Sequence, residues 1–274
     1  MRLCETLGTL SVSDDSLLVD RSMIPVFALR LIFGMSLTWC VMAREKVTSG
    51  FYRIQMLVTL GLAVLATLTL SHLNRPEGPV IATTVLYYWV IAIAGGSFLG
   101  SVMWTLERRA AGVRYAWGVW AGAALGLFLA VRGQSSLVPL PLEMASQLSA
   151  GWLIGGAIST MLLGHWHLTA TGMPLEPLLQ LNRLLLVAVV MRTVLLGVVL
   201  GTHFPESMAT THWIWLGLRI AGLIGPAILI LMVFRILRYR NTQSATGVLY
   251  ALDILIFLGE ATAALLSLDL HLPF

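Results

Sequence analysis

Residues 213–234 read WIWLGLRIAGLIGPAILILMVF, a run whose only charged residue is Arg219. A bilayer core needs about 20 residues of apolar helix, and this run supplies that length. It lacks the period-two alternation of a barrel strand, so helix is the form in which its backbone satisfies its own hydrogen bonds in lipid. Outward from it, comparable runs stand at 24–43, 54–73, 80–104, 115–131, 148–171, 184–202 and 246–267. The expected fold is therefore all-α, a polytopic transmembrane bundle of about eight spans.

Composition agrees with this reading. The chain is 58% hydrophobic and 11% charged, whereas a soluble domain carries about a quarter charged residues. Residues 1–23 form a polar tail with Glu5, Asp14, Asp15 and Asp20, lacking the basic start and short apolar core of a signal peptide. The bundle follows over 24–267, and 268–274 form a short C-terminal tail. Cys4 and Cys40 are the only cysteines, which excludes a disulfide framework and any CxxC metal or redox site.

The net charge of +4 is dispersed among the connections rather than gathered in a patch, which argues for membrane orientation and against nucleic acid. Three connections are basic: 44–53 with Arg44, Lys46 and Arg53, 105–114 with Arg108, Arg109 and Arg114, and 235–245 with Arg235, Arg238 and Arg240. The alternating connections hold Arg75 with Glu77, Arg132 with Glu143, and Glu206 alone, while 172–183 holds only Glu176 and Arg183. The positive-inside rule then predicts both termini outside, in a multi-pass protein of the cell membrane, the inner membrane if bacterial.

Glycines spaced by four predict close helix packing: Gly96 and Gly100, then Gly118, Gly122 and Gly126, then Gly151 and Gly155. On that pattern the third, fourth and fifth helices form a tight inner cluster. Pro226 predicts a kink in the seventh helix, and Trp104, Trp117, Trp213 and Trp215 an interfacial belt. No internal repeat relates 24–131 to 148–267, so inverted-repeat transporter folds gain no support.

The informative side chains are those that cost energy where they stand. A charge at a helix centre costs about 2.5–3.5 kcal/mol on insertion scales, so it faces the bundle interior and takes a partner. Arg30, Arg192, Arg219, Asp253 and Glu260 meet that description. Measured from the ends of the apolar runs, Arg30, Arg219 and Glu260 make an outer layer, and Arg192, Asp253 and His165 an inner one. Asp253 and Glu260 are seven residues apart, which aligns them on one face of the eighth helix. Three arginines against two carboxylates leave one positive charge for an anionic lipid, a quinone carbonyl or an anionic substrate. The bland alternative is static ion pairs that fix helix order.

The stretch 164–177, GHWHLTATGMPLEP, closes the fifth helix. His165 and His167 point to different sides of a helix, and the HEXXH spacing is absent. His72, His203, His212 and His271 fall at the rim opposite the basic connections. With His167 they are the candidates for a b-type haem or a metal ion. No nucleotide loop or serine-hydrolase motif occurs. The sequence thus points to a non-enzymatic bundle that transports or senses, or to the membrane subunit of a larger complex, with lipids and other membrane subunits as partners. The alternative is an electron-transfer or quinone-handling subunit.

Overall fold

The computed structural model describes residues 14–73, 81–132, 138–170, 172–203 and 208–274. Among them are eight long helices: α1 (Asp14–Val41), α2 (Ser49–Leu73), α3 (Ile81–Thr105), α4 (Arg109–Arg132), α5 (Leu140–Thr169), α6 (Glu176–Thr202), α7 (Thr210–Arg238) and α8 (Thr242–Leu270). A short 3₁₀ turn, Arg44–Lys46, joins α1 to α2. No strand occurs among the described residues. All eight helices are long and apolar enough to cross a membrane. Their outer faces carry exposed Leu68, Tyr88, Val194 and Ile254, as helices fitted to lipid rather than water would.

Two helices start well before their apolar runs. α5 begins at Leu140 rather than 148, with Pro141 in its first turn, and α6 at Glu176 rather than 184, with Pro177 there. Proline suits that position because the first N–H groups of a helix have no intrahelical acceptor anyway. Hydropathy marked the apolar part of each helix; the polar residues before it continue the same helix. The segment 172–183 is consequently mostly helix, and α1 reaches back to Asp14.

Short connections make successive helices antiparallel. α1, α2, α3 and α4 pack in a closed ring, each on the next and α4 back on α1; α5, α6, α7 and α8 form a second ring in the same order. The rings meet where α5 packs on α1 and α4. α1 and α5 are the most enclosed helices, with 67% of their apolar windows buried against 33% for α2, α3, α4, α6 and α7. The centre is therefore α1 with α5, not α3, α4 and α5. Gly151 and Gly155 face α1 instead: a Cβ on Gly34 would lie 1.9 Å from the Gly151 carbonyl oxygen, and one on Gly155 2.7 Å from Gly34 Cα. The glycines flagged in α3 and α4 meet side chains rather than backbone, Gly100 facing Met56 and Tyr115, Gly122 facing Ile93 and Gly126 facing Leu29 of α1, while a Cβ on Gly118 would meet nothing within 4 Å.

A second backbone crossing joins α7 to α8, where a Cβ on Gly222 would meet Gly259 Cα at 2.4 Å. Pro226 stands inside α7, which runs unbroken from Thr210 to Arg238. Trp104 is no belt residue: it is buried and stacks on Tyr52 with centroids 4.4 Å apart, over Gly112. Trp117 and Trp213 are exposed.

Candidate functional site

The two glycine crossings place the charges. Arg30 and Gln147 each stand four residues before their crossing glycines, Gly34 and Gly151, so the α1–α5 approach brings them together. Arg30 Nε donates to Gln147 Oε1 at 2.6 Å. In α7 and α8, Arg219 lies one turn before Gly222 and Glu260 directly follows Gly259. Arg219 Nη1 donates to Glu260 Oε1 at 2.6 Å.

Arg192 of α6 completes the cluster. Its Nε and Nη2 donate to Glu260 Oε1 and Oε2 at 3.1 and 3.0 Å, the bidentate fork that guanidinium and carboxylate planes favour. Its Nη1 donates to Ser146 Oγ at 2.8 Å, and Nη2 also to the Phe274 carbonyl oxygen at 2.6 Å. Arg192, Arg219 and Glu260 are 1%, 0% and 3% exposed, so solvent screening does not weaken these pairs. Arg30 lies within electrostatic range of Glu260, Arg192, Arg219 and buried Glu143. Among side chains the cluster gathers three arginines and two carboxyl groups, Glu260 and Glu143.

Arg219 has donors to spare. It spends Nη1 on Glu260, while Nε and Nη2 have no hydrogen-bond partner among the described residues. A guanidinium carries five N–H donors in a rigid fork, and leaving some unmet in an apolar interior is costly. Such a group is suited to receive an oxygen acceptor.

This arrangement differs from two separate layers. Arg192 belongs with Arg219 and Glu260, because α6 starts at Glu176 and so lifts Arg192 into the half of the bundle near the C-terminus. Asp253 is left alone. It is 6% exposed, and neither carboxylate oxygen has a hydrogen-bond partner among the described residues. His165 is exposed, with Nδ1 3.4 Å from the Tyr250 hydroxyl, and joins neither carboxylate.

Sequence reading missed Glu143, Ser146, Gln147 and Phe274. The first three had a signal, since spacings of three and four put polar residues on one face at the start of α5. Phe274 had none: residues 271–274 fold back, with the Phe274 side chain buried and its N–H donating to Ser267 Oγ at 3.2 Å. The C-terminal residues thus join the bundle instead of forming a tail.

The histidines are dispersed in their bonding. His167 is buried, with Nδ1 2.8 Å from the Leu163 carbonyl and Nε2 3.2 Å from that of Pro174, which ties down the α5–α6 turn. His203 Nδ1 lies 2.7 Å from Thr202 Oγ1, and His212 Nε2 3.4 Å from Asp269 Oδ2. His271 ends α8 in a left-handed conformation, φ 53°. The side chain of His72 lies outside the described residues, as do Cys4, Arg75, Glu77 and Glu206. Among the described residues no group of three or more His, Cys, Asp or Glu side chains is arranged to hold a metal ion.

Fold and site together define an all-helical chain of the kind that fits a multi-pass membrane protein, with an arginine-rich cluster buried among α1, α5, α6, α7 and α8. No family model, no curated protein and no solved structure matches it.

Proposed function

We propose that the chain is a non-enzymatic integral membrane protein that transports or senses a small anion or carbonyl-bearing molecule, received at Arg219. The observation carrying this reading is the pair of unpartnered Arg219 nitrogens at 0% exposure, with the Arg192 and Arg30 guanidinium groups nearby. A purely structural ion pair would be expected to spend its donors on protein acceptors. In this reading Arg192 holds Glu260 in place with two hydrogen bonds, which leaves Arg219 free to turn toward a ligand. Membrane insertion, with both termini outside and the basic connections in the cytoplasm, belongs to the same proposal.

Thermal unfolding of the purified protein in mild detergent tests it, with acetate and phosphate as probe anions at constant ionic strength. A ligand that binds only the folded state raises Tm with its concentration. At least one probe should do so for the native chain and not for Arg219→Gln, whose Glu260 keeps its Arg192 partner. No response in either protein would end this reading. A Soret band in the purified protein would favour the electron-transfer alternative instead.

A further inference from the structure

Between α3 and α4 runs a groove of about 680 Å³, a volume typical of a small-molecule site. It exists because Gly96 and Gly118 put no side chain where neighbouring turns of the two helices face each other. Trp89 closes one end: its Nε1 donates to the Gly122 carbonyl at 2.8 Å and bridges α3 to α4. At the other end, near the α3–α4 turn, the groove is lined by Arg108 and Arg114, both exposed and neither in an ion pair among the described residues. Glu107, on the same turn, stands outside the lining. From Trp89 to Met103 the lining covers about 21 Å of helix at 1.5 Å per residue, the reach of an extended acyl chain. Exposed Ala92 and Gly118 leave the groove open to the side of the bundle.

We propose that this groove binds an anionic phospholipid, with one acyl chain along Gly96 and Gly118 and the headgroup phosphate on Arg108 and Arg114. The occupant follows from charge and shape together. A long apolar slot with two free guanidinium groups at one end matches a molecule with a long apolar tail and one acidic head, and basic pockets between membrane helices take such heads. The site is separate from the Arg219 cluster. The inference rests on the reading of the chain as a membrane protein.

The test is native mass spectrometry of the purified full chain, exchanged into detergent with either phosphatidylglycerol or phosphatidylcholine. Phosphatidylglycerol should be retained selectively. Arg108→Gln with Arg114→Gln should weaken that retention roughly tenfold. Arg235→Gln with Arg238→Gln, the same charge change at the α7–α8 turn, should leave it within about twofold. Gly118→Leu, which fills open space, should abolish retention while thermal unfolding stays near native. Equal loss from both arginine pairs, equal retention of the two lipids, or lipid persisting in Gly118→Leu would overturn the proposal. So would a dimer that Gly118→Leu dissolves, since the groove would then seat a second copy. Alkaline carbonate extraction of cell membranes separates the two readings. A chain that stays in the pellet but retains no lipid loses only the groove; a chain that is released loses the membrane reading as well.

Discussion

Glu260 accepts three hydrogen bonds from two buried arginines, so its charge is what makes both tolerable in an apolar interior. Glu260→Gln keeps the shape and removes that charge, and should cost about 3–5 kcal/mol, the range for breaking one side of a buried ion pair. Glu176→Gln breaks the exposed pair with Lys46 and should cost under about 1 kcal/mol. Thermal or denaturant unfolding in one detergent compares the two, and equal costs would contradict the enclosed cluster. Asp253 presents the opposite case, a buried carboxylate without a hydrogen-bond partner among the described residues. Asp253→Asn should leave stability unchanged or raise it, because a carboxyl whose ionised form is costly in that surrounding gives way to a neutral amide and no hydrogen bond is broken. Loss of ligand response in a stable Asp253→Asn protein would give that residue a functional role. The charged residues stood out in the sequence because insertion energetics makes them conspicuous in apolar runs. Their partners did not, since pairing depends on the depth at which each helix begins.

At the scale of the helix, the glycine crossings decide which faces meet. Gly34 in α1 meets the backbone of α5, and no side chain can be added there without moving one helix off the other. Gly34→Ala should therefore destabilise by about 3 kcal/mol or more, the upper range for overpacking. Gly197→Ala, on α6 with nothing within 4 Å, should stabilise by up to about 1 kcal/mol through helix propensity alone. Gly222→Ala should act like Gly34→Ala and also part Arg219 from Glu260, so it should abolish the anion response as well. Spacing by four flagged Gly151 and Gly155, but it also flagged Gly118, which packs against nothing. A one-dimensional pattern locates a smooth face without saying whether another helix or lipid covers it.

For the whole molecule, the two four-helix rings follow the same order of neighbours, although no sequence repeat relates them. Each ring closes within its own half, and the halves meet chiefly through α1 and α5. Residues 1–135 and 136–274 expressed as two chains should therefore assemble in the membrane and co-purify, and Gly34→Leu should prevent it; failure of the native halves to associate would contradict closed rings. Orientation is a separate question. A cysteine at Arg238, in a chain without Cys4 and Cys40, should resist an impermeant thiol reagent in intact cells, and labelling there would reverse the proposed topology. The sequence by itself determined the class of structure, the number of long helices and the burial of Arg192, Arg219, Asp253 and Glu260, because apolar length and charge cost are local properties of the chain. Only the tertiary structure decided that α1 and α5 form the centre, that Arg192 joins Arg219 on Glu260 while Asp253 stands alone, and that the Phe274 carbonyl reaches the cluster. Those depend on which helix faces touch and at what height, which is set by contacts between residues far apart in the chain.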